Sequence, residues 1–174
     1  MQAVSVEIPF GKYKLREWRP SDKASLVKYA NNRKVWMNVG DTFPHPYTMS
    51  DALEWIARNQ NKAPTTEFAI ATKDEAIGGI GIEIQRGKTR SAGVGYWLGE
   101  PFWNKGIMTG ALMAFTEYAF DNFDLVRIYA RVIENNPASM RVLKKAGFIY
   151  EGRWRKSVVK DGKLLDTVRY ALVK

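Results

Sequence analysis

The stretch that decides the fold is Trp103-Asn104-Lys105-Gly106-Ile107-Met108-Thr109-Gly110-Ala111-Leu112, which follows a predicted strand ending at Leu98. Apolar residues recur at helical spacing after it, so a strand, a short loop and a helix succeed one another. The first N–H groups of a helix have no partner within the helix, and the helix dipole favours an anion beside them. The stretch therefore predicts a binding site for a phosphate group.

The composition predicts one globular domain over residues 1–174, because 45% of the residues are hydrophobic and 13% are aromatic. The formal net charge of +9 attracts polyanions in general. The basic residues are spread along the chain in short clusters such as Arg153-Trp154-Arg155-Lys156, and no nucleic-acid-binding signature accompanies them. We expect no specific nucleic-acid binding.

Several classes of protein and site are excluded by what the sequence lacks. With no cysteine there is no disulfide, thiolate metal site or cysteine nucleophile, and no other pattern predicts a metal site. No apolar run approaches the length of a membrane span, and residues 1–10 lack the features of a secretory signal. The sequence predicts a cytoplasmic protein that does not bind membranes.

The predicted order of elements is β-α-α-β-β-β-α-β-α-β-β. The strands are predicted at 12–18, 67–72, 76–84, 92–98, 125–132, 148–155 and 163–173. The helices are predicted at 20–31, from Thr48 or Ser50, at 106–120, and from Asn136-Pro137 until just before Gly147. Antiparallel strands flank a central β-α-β crossover, so we expect an α+β fold with a mixed, mostly antiparallel sheet and helices on its faces.

With this order, the chain resembles the GNAT superfamily of acyl-CoA-dependent N-acyltransferases, in particular the branch of Rim-type ribosomal-protein N-terminal acetyltransferases. The motifs that carry the resemblance are Gly95-Tyr96-Trp97-Leu98, the loop 102–109, the helix start 135–143, Ala146-Gly147-Phe148 and Glu151-Gly152. Three positions depart from the usual pattern. Trp103 stands where the superfamily's phosphate loop usually has Gln or Arg. Met108 stands where the superfamily's phosphate loop usually has Gly or Ala, and Gly110 stands where many Rim-like members have Glu.

The resemblance implies that acetyl-CoA binds along this part of the chain. Its pantetheine arm would lie along Tyr96, Trp97 and Leu98, with the backbone rather than the ring of Trp97 in contact. Its pyrophosphate would bind the backbone N–H groups of Asn104, Lys105, Gly106, Ile107, Met108 and Thr109. Asn136 would cap its helix, bind the pantetheine, or do both. Arg141, with Lys144 and Lys145, would either reach the 3′-phosphate or belong to a solvated face.

The resemblance also implies the catalytic groups. Ser139 would lie near the cofactor sulfur and protonate or hydrogen-bond the departing thiolate, although a serine in a first helical turn is often a local cap. The base that deprotonates the amine is harder to assign, because His45, Glu83 and Glu151 are all candidates. Glu151 is preferred because it occupies a motif position of Rim-like enzymes. No pattern suggests a covalent acyl-enzyme, so direct transfer in a ternary complex is expected.

These inferences predict an acetyl-CoA-dependent N-acetyltransferase that acts on a primary amine, with a protein or peptide N-terminus as the leading acceptor. Small amines are the alternative acceptors, among them polyamines and amino-acid-like toxins or antibiotics. A non-catalytic acyl-CoA-binding module on the same fold is a further alternative, because a fold alone does not establish activity. The sequence leaves open whether the protein is a monomer or a dimer.

Overall fold

The computed structural model describes residues 5–174. Its strands are β1 (Glu7–Phe10), β2 (Tyr13–Arg16), β3 (Glu67–Ala71), β4 (Ala76–Ile84), β5 (Ser91–Leu98), β6 (Arg127–Ile133), β7 (Ile149–Lys160) and β8 (Lys163–Val173). They form one sheet in the order β1-β2-β3-β4-β5-β6-β8-β7. Only β5 and β6 pair in parallel, and every other neighbouring pair is antiparallel. The predicted α+β class is confirmed.

The helices are α1 (Lys23–Ala30), α2 (Arg33–Trp36), α3 (Met49–Asn59), α4 (Ile107–Asn122) and α5 (Pro137–Lys145). Single 3₁₀ turns lie at Pro20–Asp22 and Glu100–Phe102. The connection between the parallel strands β5 and β6 is α4, as the predicted β-α-β crossover requires.

Local capping signals place the helix starts. The Thr48 hydroxyl accepts a hydrogen bond from the Asp51 N–H (3.2 Å), and the Asp51 carboxylate accepts one from the Thr48 N–H (2.7 Å). This reciprocal capping box selects Thr48 over Ser50 as the start of α3. Asn136 caps α5, and Gly147 follows its end in the left-handed conformation, with φ +88°. These starts and stops agree with the predictions.

Three differences have physical reasons. Strand β1 was not predicted, because it is a four-residue edge strand with Pro9 inside it. The strand predicted at 12–18 is shorter in the structure, where it forms β2, the partner of β1. Helix α2 has only four residues, too few to show a helical period. Strand β7 continues to Lys160 rather than ending at 155, because an irregularity between Trp154 and Val158 breaks the alternation there.

The sheet separates two hydrophobic clusters. Helices α4 and α5 cover one face, where the Phe115 ring of α4 meets the Phe68 ring of β3 edge-on with centroids 5.9 Å apart. The opposite face carries Gly79, Gly81, Gly93 and Gly95 and is called the glycine face below. Helices α1 and α3 cover the β2–β4 end of the glycine face, around Trp18. The rest of the glycine face is open toward β5–β8.

One buried ion pair ties β2 to the start of α1. The Arg16 guanidinium donates two hydrogen bonds of 2.7 Å to the Asp22 carboxylate, and both side chains are nearly inaccessible. Asp22 also accepts a hydrogen bond from the Arg19 N–H (2.8 Å), so the same carboxylate caps the 3₁₀ turn. Removing one partner of such a pair leaves a buried charge without compensation.

We predict that Asp22→Ala lowers the free energy of unfolding by about 3 kcal/mol, because the Arg16 guanidinium then stays buried without its partner. Chemical denaturation measures this loss. The control is Glu54→Ala, which removes the exposed pair of Glu54 with Arg58 on α3 and should cost less than about 0.5 kcal/mol. Equal losses in the two variants would contradict the prediction.

Candidate active site

A cleft opens in the sheet where β5 and β6 separate. In residues 5–174 these strands pair over three residues only, ending with Gly93 opposite Tyr129. Beyond this point β5 continues to Leu98 alongside β4, and β6 continues to Ile133 alongside β8. The inner edges of both strands therefore face the gap without a ladder between them. An extended ligand can add hydrogen bonds to such an edge.

The alternation of β5 decides which backbone groups reach the cleft. The Gly99 N–H, just after β5, donates to the Ile77 carbonyl of β4 (2.8 Å), so every second residue before Gly99 directs its backbone groups toward β4. The residues between them direct their backbone groups into the cleft, and these residues are Val94, Tyr96 and Leu98.

The predicted backbone contact of Trp97 with the pantetheine arm is wrong for the same reason. Trp97 lies opposite Gly79, and its N–H and C=O face β4 rather than the cleft. Its ring lies on the glycine face and packs edge-on against Phe43, with centroids 5.8 Å apart. The packing interpretation of Trp97 is therefore the correct one for its ring.

The carbonyl of Leu98 already has a partner within the chain. The Trp103 indole N–H donates to it at 2.7 Å, so only the N–H of Leu98 remains for a ligand in the cleft. This bond also holds the loop after β5 against the strand end. Trp103 occupies the first position of the phosphate-loop motif, where the superfamily usually has Gln or Arg, and the structure gives it this anchoring role.

The loop after β5 places the start of α4 at the mouth of the cleft, and the first N–H groups of this helix have no partner within the helix. Asn104 and Gly106 both have positive φ (58° and 73°), and a Cβ added to Gly106 would meet no atom within 4 Å. The first helical bond of α4 runs from the Gly110 N–H to the Gly106 carbonyl (3.2 Å), so the N–H groups before it have no intrahelical partner. No side chain of residues 5–174 caps this helix. The residues present therefore fit a phosphate group.

Met108 does not obstruct this site. Its side chain is 8% exposed and packs in the main core, as does that of Ile107. Only the backbone of these two residues faces the helix start, so the bulk of Met108 leaves the anion position free. Asn104, Lys105 and Gly106 are exposed and Thr109 is half-buried, as expected for residues around a ligand.

Gly110 faces the sheet rather than the loop. A Cβ at this position would lie 3.0 Å from Cδ2 of Phe10 in β1. The small residue therefore allows the edge hairpin to pack closely on α4. A side chain at this position would therefore point away from the open helix start, and close packing against Phe10 explains why glycine stands here.

Ser139 and Tyr96 meet on the α5 side of the cleft. Their hydroxyl oxygens lie 2.7 Å apart and share a hydrogen bond. The Ser139 N–H donates to Oδ1 of Asn136 (3.2 Å), which fixes the first turn of α5. Burial raises the pKa of Tyr96 to about 12, and the hydrogen bond with Ser139 acts in the opposite direction. The pair is therefore a neutral, protonated donor group at the cleft.

Other predicted ligand-binding groups lie on the surface around this cleft. Arg141 is exposed on α5, the helix that carries Ser139. The ammonium of Lys105 lies 5.9 Å from the centroid of the Phe102 ring, beside the open helix start. Both positions are compatible with a phosphorylated ligand.

The preferred base, Glu151, is not brought into the cleft. It lies on β7, and β8 separates β7 from β6. Its carboxylate accepts two hydrogen bonds from the Arg127 guanidinium, one of 2.7 Å, at the start of β6 before the strands separate. This hydrogen bonding with Arg127 lowers the pKa of Glu151, which makes the carboxylate a weak base. Another candidate base, His45, is exposed and stacks on Trp36.

Sequence reasoning missed a carboxylate on the glycine face. Glu67 begins β3, lies opposite Gly81 and is half-buried. A Cβ on Gly81 would overlap the Glu67 carboxylate, so this carboxylate occupies the space above β4. Burial raises the pKa of Glu67 to about 7, Lys62 lowers it, and Glu83 raises it. The signal in the sequence was an acidic residue at the start of a strand that precedes the glycine-rich strand β4.

In the described part of the chain, no cluster of three side chains could hold a metal ion. No helix within the described range is long and apolar enough to span a membrane.

Comparison with known proteins matches residues 12–149 to the family model of the acetyltransferase (GNAT) domain. The probable N-acetyltransferase YjcK of Bacillus subtilis (strain 168) is 44% identical over 122 residues, which cover 67% of each chain. The ribosomal-protein-serine acetyltransferase of Escherichia coli (strain K12) is 34% identical over 85 residues, covering 49% of this chain and 48% of that one.

Solved structures share the whole fold. The ribosomal L7/L12 alpha-N-protein acetyltransferase RimL, in complex with coenzyme A, superimposes with a TM-score of 0.85 at 21% identity. The match covers 97% of this chain and 98% of that one.

We predict that Gly106→Ala lowers the free energy of unfolding by about 1–2 kcal/mol, because an L side chain disfavours the left-handed conformation of this residue. The control is Gly40→Ala, since a Cβ at Gly40 also meets open space but the φ of Gly40 lies outside the left-handed range. Thermal and chemical denaturation of both variants test this. A loss of stability at Gly40 as large as that at Gly106 would contradict the conformational explanation.

Proposed function

This chain belongs to the GNAT acetyltransferase family, and from that premise we propose that its acceptor is the α-amino group of a protein or peptide. The chain is an N-acetyltransferase, and acetyl-CoA supplies the acetyl group as an activated thioester. The proposal concerns the acceptor and the residues that act on it.

The observation that carries the peptide acceptor is the open surface beside the cleft. On the glycine face, the Arg169 guanidinium of β8 lies 3.9 Å from the Trp154 ring centroid and 4.6 Å from that of Tyr129. Trp154 remains 47% exposed. A row of aromatic rings and one cation along adjacent strands can bind backbone and side chains that continue beyond the reacting amine. The Escherichia coli relative, named for a ribosomal-protein substrate, supports the same class of acceptor.

We assign the binding of acetyl-CoA, the acetyl donor, to the cleft and to the loop before α4. We infer that the N–H groups of Asn104, Lys105, Gly106, Ile107, Met108 and Thr109 bind the pyrophosphate, since the helix start is open and uncapped. The free backbone edge at Tyr96 and Leu98 would pair with the pantetheine. Asn136 and Arg141 complete the set on α5.

Ser139 is assigned as the donor of a proton to the departing thiolate. In direct transfer the amine nitrogen forms a bond to the acetyl carbon, the carbon–sulfur bond breaks, and sulfur keeps the electron pair. The hydroxyl pair of Ser139 and Tyr96 can supply the proton that sulfur then takes, because burial keeps the Tyr96 hydroxyl protonated.

The single domain over residues 1–174 and the cytoplasmic location predicted from the sequence belong to this proposal.

An acceptor panel tests the proposal. We predict that the protein releases CoA thiol from acetyl-CoA with a peptide that has a free N-terminus. The matched control is the same peptide with a blocked N-terminus and an internal lysine, which should give little turnover. Turnover with polyamines or amino acids alone would favour a small-molecule acceptor. Tight CoA binding without turnover on any amine would favour a non-catalytic module.

We predict that Ser139→Ala lowers turnover by roughly 100-fold, because a positioned proton donor contributes about that much. The acetyl-CoA dissociation constant should change little, since the backbone of the loop is intact. Steady-state kinetics and calorimetric titration measure the two quantities. Equal losses in turnover and affinity would indicate that Ser139 only supports the structure through Tyr96 and Asn136.

A further inference from the structure

We propose that Glu67 is the base that removes the proton from the acceptor ammonium at the mouth of the cleft. The proposal rests on amine acetylation as the reaction, and it holds whether the amine belongs to a peptide or to a small molecule. It replaces Glu151 in this role.

The first argument is a row of three residues across the glycine face. Glu67 of β3 lies opposite Gly81 of β4, and Gly81 lies opposite Gly95 of β5. Neighbouring strands are about 4.8 Å apart, so a side chain from β3 must extend across β4 to reach β5. The Glu67 carboxylate does extend over Gly81, where a Cβ would overlap it. The absence of a side chain on Gly81 creates this path.

The second argument is the open space at the end of the row. Gly95 is exposed, and a Cβ built on it would meet no atom within 4 Å. It lies two residues beyond Gly93, the last residue of β5 that pairs with β6. An ammonium group above Gly95 would therefore lie at the cleft mouth, about one strand spacing from Gly81 and within reach of the Glu67 carboxylate, directly or through one water.

The third argument is the position of the proposed proton donor. Tyr96 lies opposite Ile80, and it bonds Ser139 on the face covered by α5. Glu67 and Gly95 lie on the other face of the same strands. A nucleophile arriving from the glycine face would meet the base there, while the leaving group would take its proton from the opposite face.

The charged groups around Glu67 are compatible with a base. Those acting on it are Lys62, in the segment before β3, and Glu83 of β4. The ammonium of Lys62 donates to Asn59 (2.8 Å), and within residues 5–174 no cation lies within 4.0 Å of the Glu67 carboxylate. Unlike the Glu151 carboxylate, which is hydrogen-bonded to Arg127, the Glu67 carboxylate remains available to accept a proton. With a pKa of about 7 it can accept a proton near neutral pH.

The proton balance is simple. The ammonium nitrogen gives one proton to a carboxylate oxygen of Glu67 and keeps the electron pair with which it attacks the acetyl carbon. Glu67 then returns the proton to solvent, which its half-buried position allows. After the attack the nitrogen loses a second proton to solvent, and the hydroxyl pair of Tyr96 and Ser139 regains from solvent the proton that it gives to the thiolate. The net products are the amide, the thiol and one proton. No oxidant or further reactant is required.

The kinetic test is Glu67→Gln, with Glu54→Gln, at an exposed carboxylate on α3, as the control. At pH 8, Glu67→Gln should lower kcat/KM by about 100-fold for whichever amine the wild-type protein acetylates, with an unchanged acetyl-CoA dissociation constant. Glu54→Gln should keep the wild-type activity at pH 8. Activity retained in Glu67→Gln, or lost equally in both variants, would overturn the proposal.

The pH profile gives a second readout. In the wild-type protein, kcat/KM should rise with pH through about 7 as Glu67 loses its proton. Glu67→Gln should remove this rising limb of the kcat/KM profile and leave the limb caused by deprotonation of the acceptor amine. Glu83→Gln should move the limb to lower pH, because the charge that raises the pKa of Glu67 is gone. A limb near 7 that persists in Glu67→Gln would overturn the proposal.

Two glycine variants test the row without changing Glu67. Gly81→Ala should displace the carboxylate, and Gly95→Ala should fill the ammonium position, and each should lower kcat/KM at least 10-fold with the fold retained. Gly40→Ala is the control outside the row, since a Cβ there meets open space and the φ of Gly40 lies outside the left-handed range. Wild-type turnover in both row variants would overturn the proposal.

A stability measurement is independent of any acceptor. Because the folded state raises the pKa of Glu67 above its unfolded value, the protein should lose stability as the pH rises from about 4.5 through about 7. Glu67→Gln lacks this loss, so its melting temperature should exceed that of the wild type at pH 8 and approach it at pH 5. Parallel melting curves across this range would overturn the assignment of a raised pKa. If the protein acetylates no amine, the melting curves still report the raised pKa of Glu67. A failure of the proposed function can therefore be distinguished from a failure of the assignment of Glu67.

Discussion

The arrangement of the site depends on the short pairing of β5 with β6. The two strands share three residue pairs and then diverge, so each keeps a partner on its outer side and a free edge on its inner side. Unpaired strand edges are costly to bury and favour a ligand that supplies the missing hydrogen bonds. The parallel direction of the pair also brings the start of α4 to the same end of the sheet, where its free N–H groups favour an anion. The free strand edges for an extended ligand and the helix start for a phosphate group thus both follow from one break in the sheet.

The departures from the family pattern in the phosphate loop are explained by the direction of each side chain. Met108 and Gly110 both point into the protein, one into the main core and one toward Phe10 of the edge hairpin. Trp103 turns its indole N–H back to the Leu98 carbonyl. The ligand side of the loop consists of backbone and of Gly106, whose conformation is left-handed. A loop that binds through its backbone tolerates such variation, because the anion does not contact the side chains that change.

Features set by neighbouring residues could be predicted from the sequence, and features set by strand register could not. The caps at Thr48 and Asn136, the turn at Gly147 and the open helix start are local, and motif spacing located all of them. The predicted backbone contact of Trp97 with the pantetheine arm was wrong because it depends on which strand the Trp97 backbone faces. Glu67 was missed because its value as a base depends on two glycines, 14 and 28 positions away, that only the register aligns with it.

The two faces of β5 give the reaction separate environments for its two proton transfers. On the α5 face, burial keeps the Tyr96 hydroxyl protonated next to Ser139, which suits a proton donor. On the glycine face, burial and Glu83 raise the proton affinity of Glu67, which suits an acceptor. A strand places successive side chains on opposite faces, so neighbouring positions such as Gly95 and Tyr96 serve the two tasks without exchanging protons directly. Because the pKa of the Tyr96 hydroxyl is about 12 and that of the Glu67 carboxyl about 7, the hydroxyl keeps its proton while the carboxylate is free to take one from the amine.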